Sequence, residues 1–117
     1  MAFSKETVVI VGFGWVGQAN ALALSQAGYS VFYFDIQKPE FWYKDKYEKQ
    51  YNSVKPLSNI LEKDSLSTWY IVCVGDKVSS DGEQDISAIR KALLSLKEAK
   101  GGIILRSTIL PGLLSSL

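Results

Sequence analysis

The sequence predicts a doubly wound α/β domain, in which helices cover both faces of a parallel sheet. Several short segments are apolar throughout, as expected of parallel strands buried on both faces, whereas a one-sided strand would alternate. These segments alternate along the chain with segments of helical character, which is the order produced by helical crossovers between parallel strands. A chain of 117 residues has room for one such domain.

Four buried strands are predicted, at residues 8–11, 31–34, 68–74 and 103–105. They are dominated by β-branched, aromatic and other apolar side chains, which favour strands. The third contains Cys73, which we expect to be a small core residue and not a nucleophile.

The first predicted helix covers residues 15–27 and directly follows the first strand. Gly28 supplies the residue that commonly ends a helix. Apolar side chains recur along this segment at helical spacing and are expected to face the sheet; they are Val16, Ala19, Ala23 and Ala27.

A second helix is predicted within residues 37–51, where Tyr43, Tyr47 and Tyr51 lie four residues apart. This spacing indicates an aromatic inner face opposite a charged outer face. Lysines interleaved with aromatics are also typical of RNA-binding surfaces, but the charges here nearly cancel, which favours the solvated helix.

Two more helices are predicted in the second half of the chain. Residues 56–65 indicate a short helix, and a polar loop with a turn at Asp81-Gly82 follows the third strand. Asp85 then fits the N-cap of a helix over residues 86–99, which has one apolar face.

Composition excludes several classes of protein. A formal net charge of +1 offers no basic surface for nucleic acid, and one cysteine without histidine leaves no disulfide framework and almost no metal ligands. No apolar run approaches the roughly 20 residues of a membrane span, and the first residues lack the pattern of a secretory signal. We therefore expect a cytoplasmic domain without a metal, and no nucleic acid or membrane as partner.

Three glycines after the first strand have the spacing G-x-G-x-x-G: Gly12, Gly14 and Gly17. In a dinucleotide site the first permits a tight turn, the second lets the backbone approach a pyrophosphate, and the third lets the helix pack close to the sheet. The N-terminus of the helix attracts the phosphates. The pattern also requires an acidic residue about 20 residues further on, and Asp35 ends the second strand. This order predicts a Rossmann-like dinucleotide-binding domain.

Asp35 also indicates which dinucleotide is bound. A 2′-phosphate beside this carboxylate would cost about 4 kcal/mol per pair of unit charges at 4 Å and an effective dielectric of about 20, so NAD is favoured over NADP. The alternative is that Asp35 only caps the loop at the strand end.

Further polar residues follow the third and fourth strands, at the sheet edge where ligands of such folds bind. They are Gly75, Asp76, Ser107 and Thr108. The last two fit equally well as turn residues before a Pro-Gly pair. Trp15, within the glycine loop, is expected to cover the start of the helix and not to stack on the ligand.

Three segments together resemble the N-terminal NAD-binding domain of the UDP-glucose/GDP-mannose dehydrogenase family. GFGWVG is similar to that family's G-x-G-Y-V-G, VGDKVSSDGEQDIS to V-[GP]-T-P-x-x-x-D-G-x-x-D-x-S, and RSTILPG to K-S-T-V-P-P-G. Members oxidise the primary alcohol of a nucleotide sugar to a carboxylate in two NAD-dependent steps, as from UDP-glucose to UDP-glucuronate. The resemblance implies the same fold and cofactor here.

The resemblance also implies roles for individual residues. Thr108 matches the family threonine that helps position the catalytic water. The family's catalytic cysteine, lysine and asparagine belong to segments beyond residue 117, so the chain is expected to be incomplete for catalysis, with the nucleotide sugar bound by a domain outside it. The implied cofactor-binding residues are Gly12, Phe13, Gly14, Trp15, Val16, Gly17, Asp35, Val74, Gly75, Asp76, Ser107 and Thr108.

Two departures from the family keep other functions open. Asp76 and Lys77 stand where the family has threonine and proline, and the chain between Asp35 and Val74 is shorter. One alternative is a non-catalytic dinucleotide-binding or interaction module that keeps the fold. Another is an NAD-linked reductase of a different Rossmann family, which the second and third motifs argue against. The sugar nucleotide and the oligomeric state stay open.

Overall fold

A five-stranded parallel sheet forms the centre of the fold, in a computed structural model that describes residues 6–37, 39–41, 43–74, 77–78, 84–85 and 87–106. The predicted doubly wound α/β architecture is confirmed. The elements in chain order are β1 (Thr7–Val11), α1 (Trp15–Gln26), β2 (Ser30–Phe34), α2 (Lys44–Ser53), β3 (Lys55–Pro56), β4 (Thr68–Val72), β5 (Lys77–Val78), β6 (Gln84–Asp85), α3 (Ser87–Ser95) and β7 (Gly102–Leu105).

The strand order β3-β2-β1-β4-β7 places β1 at the centre. From β1 the chain moves outward through β2 to β3, then returns to the other side of β1 for β4 and β7. The direction therefore reverses between β1 and β4, where a crevice opens beyond the carboxyl ends of the strands. Val11 is in register with Phe34 on one side and Val72 on the other, so the residues after these three strands share one edge.

The continuous apolar run of β1 is explained by burial on both faces. Val8 and Ile10 belong to a core cluster that includes Leu22 of α1. Val9 and Val11 belong to a second cluster, which includes Leu96, just after α3. Because alternate side chains enter different cores, no position in this part of the strand suits a polar residue.

Helix α1 lies where it was predicted, but the prediction of its buried face is wrong. Gly17, Gln18, Ala21 and Leu22 are buried. The reason is steric, since a Cβ on Gly17 would lie 2.0 Å from the carbonyl oxygen of Gly12, so the face that carries this glycine must meet the strand. Gly28 follows the helix with φ of +95°, which confirms it as the stop. The predicted inner residues Val16, Ala19, Ala23 and Ala27 are exposed.

Helix α2 is shorter than predicted, because it begins only at Lys44 and residues 39–41 are not helical. The helix is kinked at Tyr47, which has non-helical dihedral angles. Tyr51 is buried, and Tyr43 and Tyr47 pack against the same core cluster. The aromatic inner face is therefore confirmed.

The prediction of a helix at residues 56–65 is wrong. Consecutive turns follow β3, with the N–H of Glu62 bonded to the carbonyl of Asn59 at 3.1 Å. The Asn59 side chain also accepts the N–H of Leu61 at 2.9 Å, and such local bonds compete with helix formation. Pro56 is accommodated because β3 is an edge strand.

Helix α3 ends four residues earlier than predicted, at Ser95. The proposed N-cap, Asp85, lies instead in β6, in register with Lys77 of β5 in a two-residue antiparallel ladder. The predicted turn at Asp81-Gly82 lies outside the described residues. No helix within the described part of the chain is long and apolar enough to cross a membrane.

Asp64 joins the amino-terminal ends of β4 and β7. Its Oδ1 accepts the hydroxyl of Tyr70 at 2.9 Å and the N–H of Gly101 at 3.2 Å, and its Oδ2 accepts the N–H of Lys100 at 2.8 Å. Burial raises the pKa of this carboxyl, but the hydrogen bonds and the Lys100 charge outweigh burial, so the net pKa is lowered. The interaction therefore favours the ionised form.

We predict that Asp64→Asn lowers the free energy of unfolding at pH 7 by about 1 kcal/mol, which is below the usual range for hydrogen bonds to a charged group because the carboxylate is partly exposed. Since the folded pKa is below the unfolded one, this contribution is complete above the unfolded pKa of about 4 and is lost as the pH falls through the folded pKa. Urea unfolding across this range should show a shallower pH dependence for the variant than for the wild type or an Asp45→Asn control. Equal slopes would contradict the prediction.

Candidate functional site

The candidate site lies at the carboxyl ends of the central strands. The N–H of Gly12 bonds to Phe34 at 2.9 Å and that of Cys73 to Val11 at 2.8 Å, so hydrogen bonding continues past the strand ends. A groove of about 570 Å³ opens there, bounded by the glycine loop, Asp35, Val74 and one side of α3. The structure thus brings together residues that sequence analysis predicted separately.

The three glycines meet three different steric requirements. Gly12 has φ of +93°, and a Cβ on it would lie 2.9 Å from the backbone nitrogen of Val74. Gly17 has no room for a Cβ, as described above. Gly14 is different, because no atom of the described residues lies within 4 Å of the place where its Cβ would be. The loop is therefore closed toward the sheet and open at Gly14.

Asp35 holds the glycine loop through one carboxylate oxygen and its own following turn through the other. Oδ2 accepts the N–H of Phe13 at 2.7 Å, and Oδ1 accepts the N–H of Gln37 at 2.9 Å. The loop-capping alternative raised for this residue therefore describes a real contact. A carboxylate has about four acceptor positions, so half-buried Asp35 can still accept further donors from the groove.

The walls of the groove are mostly apolar. Ile36, Ile60 and Val74 contribute side chains, and α3 contributes the small residues Ala88 and Ala92. Sequence analysis did not single out α3 as part of the site. The signal was available, since two alanines four residues apart leave one helical face free of bulk. The polar lining residues of α3 are Ser87, Lys91 and Ser95.

Two aromatic residues of the glycine loop point in different directions. Phe13 is buried, and its ring stacks on that of Tyr33 with centroids 4.0 Å apart. Trp15, at the first residue of α1, is 57% exposed and meets Tyr43 edge-on at 5.6 Å. The ring of Phe13 therefore belongs to the core, whereas Trp15 and the neighbouring Val16 lie at the surface.

A buried polar network lies behind the loop, and sequence analysis missed it. Gln18 of α1 is bonded to the Phe13 carbonyl and to the hydroxyl of Tyr51. Burial raises the pKa of Tyr51, an effect that its hydrogen bond from Tyr43 only partly offsets, so the phenol stays neutral near pH 7 and can donate. A glutamine on a surface helix gives no signal of such a role.

Cys73 is half-buried beside the core on the α1 side of the sheet. Burial raises the pKa of its thiol to about 11, although the charge of Arg106 acts in the opposite direction. The thiol is therefore protonated at neutral pH, which agrees with its interpretation as a core residue. Among the described residues, no group of three His, Cys, Asp or Glu side chains could hold a metal ion.

Four predicted site residues, Gly75, Asp76, Ser107 and Thr108, lie outside the described residues. Their roles stay predictions. Of the remaining predicted positions, Gly12, Asp35 and Val74 line the groove.

A parallel sheet of this order, with a G-x-G-x-x-G turn at its switch point, defines a Rossmann-like domain. Neither a protein-family model nor a curated protein sequence matches the chain.

Solved structures of nucleotide-sugar dehydrogenases share this fold. UDP-D-ManNAc dehydrogenase from Pyrococcus horikoshii matches 94% of this chain with a TM-score of 0.72 at 23% identity. UDP-glucose dehydrogenase from Pyrobaculum islandicum matches 93% of it with a TM-score of 0.79 at 18% identity. GDP-mannose dehydrogenase from Pseudomonas aeruginosa matches 92% of it with a TM-score of 0.72 at 20% identity. The chain spans 30% of the length of each. The resemblance expected from the three motifs is confirmed at the level of the fold.

The glycine geometry predicts that two alanine substitutions differ strongly in their effect on stability. Gly17→Ala should lower the free energy of unfolding by about 3 kcal/mol or prevent folding, because backbone and not a flexible side chain blocks the new Cβ. Gly14→Ala should change it by less than about 0.5 kcal/mol, because the position is open and φ is −85°. Urea unfolding of both variants checks this, and equal stabilities would contradict it.

We predict that the Cys73 thiol reacts slowly with a disulfide reagent at pH 7.5, and that the rate rises steeply as the pH approaches the thiol pKa of about 11. The chain unfolded in guanidinium is the control and should react at the rate of a free cysteine, with a pKa of about 8.5. A folded-state rate as fast as the unfolded rate would contradict the burial of this group.

Proposed function

We propose that this chain is the NAD-binding domain of a nucleotide-sugar 6-dehydrogenase, an oxidoreductase that converts the primary alcohol of a nucleotide sugar to a carboxylate. The observation that carries the proposal is the open position at Gly14, whose preceding residue in the glycine loop, Phe13, donates its N–H to Asp35. The order of the three sequence motifs and the shared fold of the dehydrogenases support the enzyme class.

The residues of the groove and of the glycine loop fit NAD by their chemistry. Asp35 has acceptor positions for the hydroxyls of the adenosine ribose, and the apolar walls suit an adenine ring. Gly14 and the N-terminus of α1 suit the pyrophosphate, because the N–H groups and the helix dipole favour anions. When bound, NAD supplies the hydride acceptor for alcohol oxidation.

Asp35 also supports NAD over NADP. The carboxylate is held in place by two backbone N–H groups, so it cannot easily move away from a 2′-phosphate. Repulsion at close range is therefore the expected outcome for NADP.

Catalysis requires more than this chain. By resemblance, Val74, Gly75 and Asp76 line the nicotinamide-side ribose of the cofactor. Ser107 and Thr108 approach the reaction centre, where Thr108 helps to position the catalytic water. The catalytic cysteine, lysine and asparagine, together with the nucleotide-sugar site, would come from segments outside the chain. The oligomeric state stays open, and the cytoplasmic setting stays a prediction.

The alternative function is a dinucleotide-binding module without turnover. The replacement of the family threonine and proline by Asp76 and Lys77 favours it. Supplying a separate nucleotide-sugar-binding domain distinguishes the two, because NADH formation with a UDP- or GDP-sugar would reject the module.

Calorimetric titration with NAD and NADP tests the proposed function. We expect NAD to bind at millimolar concentration or below and NADP to bind at least tenfold more weakly, a difference of about 1.4 kcal/mol. Asp35→Asn should weaken the binding of NAD. It should also narrow the preference for NAD over NADP, because the repulsion of the 2′-phosphate is lost. Asp45→Asn removes the same charge from the exposed side of α2, and it should change neither the NAD affinity nor the preference for NAD over NADP.

The titrations test NAD binding and the role of Asp35 separately. No heat or spectral response to NAD at millimolar concentration would reject NAD binding. An unchanged preference for NAD in Asp35→Asn would reject the role of Asp35 while leaving NAD binding intact.

A further inference from the structure

A buried glutamine and a tyrosine hold the carbonyl group of Phe13 in the glycine loop. The Nε2 of Gln18 donates to the Phe13 carbonyl at 2.8 Å and to the Glu40 carbonyl at 2.5 Å. Its Oε1 accepts the hydroxyl of Tyr51 at 2.5 Å, and the hydroxyl oxygen accepts the N–H of Tyr43 at 3.0 Å. The amide of Gln18 therefore has a partner at both ends.

The hydrogen bonds of this network can run in only one direction. The two carbonyl groups can only accept, so the amide nitrogen of Gln18 must face them. The N–H of Tyr43 can only donate to the Tyr51 oxygen, which leaves the Tyr51 proton for Oε1. The network therefore selects one orientation of the Gln18 side chain and one position for the Phe13 carbonyl.

Phe13 is held from its other side as well, because its N–H donates to Asp35 at 2.7 Å. The peptide bond between Phe13 and Gly14 is trans, so its C=O and N–H point in opposite directions. A Phe13 carbonyl directed toward buried Gln18 turns the N–H of Gly14 away from the core. At Gly14 the described residues leave the space open.

Burying an amide is costly unless all of its hydrogen bonds are made. Gln18 is fully buried on a helix face that otherwise carries glycine, alanine and leucine, and an apolar side chain of its size would fill the position without any network. Packing alone therefore does not explain the glutamine. Its bond to the loop carbonyl does.

We propose that Gln18 and Tyr51 are positioning residues of the glycine loop, which direct the N–H of Gly14 at the diphosphate of the bound dinucleotide. This inference rests on the proposed function and assigns residues that act through the loop without touching the ligand. It also predicts that loss of the network weakens binding of the diphosphate but not of the ribose, because Gly14 binds the diphosphate and Asp35 binds the ribose.

The test compares two ligands, ADP and adenosine, by NMR titration of the folded chain. Gln18→Leu should weaken the binding of ADP about tenfold, the size expected for one misplaced donor to a charged group. The affinity for adenosine should stay within about twofold of the wild-type value. Tyr51→Phe removes only the hydroxyl and keeps a ring that stacks on Phe41 at 4.6 Å, so it should weaken ADP by a smaller factor with adenosine again unchanged.

Asn20→Leu is the matched control. Asn20 lies on the same helix, and its amide donates to the carbonyl of Val16 at 2.8 Å, an exposed contact outside the network. This variant should keep the wild-type ratio of ADP to adenosine affinity. The same loss in the control as in Gln18→Leu would overturn the inference.

Each remaining outcome is also decisive. If the variants weaken the binding of ADP and adenosine by the same factor, the network only stabilises the fold and the inference is overturned. The proposal of NAD binding is unaffected by this outcome. If the wild type binds neither ADP nor NAD, the proposed function fails and the inference fails with it. If Gln18→Leu does not fold, Tyr51→Phe decides the question alone.

Discussion

The contact between Gly17 and the carbonyl oxygen of Gly12 is the constraint on which the rest of the domain depends. With only 2.0 Å between that oxygen and the place of a Gly17 Cβ, no other residue allows α1 to lie this close to β1. The contact sets the rotation of the helix, since the face that carries Gly17 must also carry the residues that meet the core. It thereby decides that Gln18 is buried and Val16 is exposed.

Burial of Gln18 in turn determines what must surround it. Its amide needs partners, and they come from the glycine loop, from Glu40 before α2 and from Tyr51 within α2. Aromatic rings close the space around these bonds, with Phe13 stacked on Tyr33 and Phe41 stacked on Tyr51. The connection between β2 and α2 therefore stabilises the loop through a dry polar core, where each hydrogen bond is stronger than it would be in water.

Sequence reasoning succeeded where one local pattern has one physical cause. The apolar runs identified β1, β2 and β4 because burial on both faces excludes polar residues, and the glycine spacing identified a turn that only glycine can make. It failed for the inner face of α1 because alanines make several faces of this helix almost equally apolar, so a contact with a distant strand decides the rotation. It failed at residues 56–65 because the hydrogen bond of Asn59 to its own backbone competes with the helix.

The part of the site that could not be predicted depends on contacts between distant residues. Asp35 was expected at the strand end, but its bonds to Phe13 and Gln37 depend on the fold of two loops. These bonds have a consequence for anion binding, since a carboxylate beside a phosphate site would repel its ligand. Two N–H groups donate to Asp35 and compensate part of its charge, while Gln18 engages the Phe13 carbonyl. The Phe13 residue thus has its own N–H and C=O turned to protein partners, and the N–H of Gly14 is directed toward the open side. The loop therefore directs an N–H to its open side because protein partners take up the N–H and C=O of Phe13. This arrangement depends on buried residues as much as on the glycines themselves.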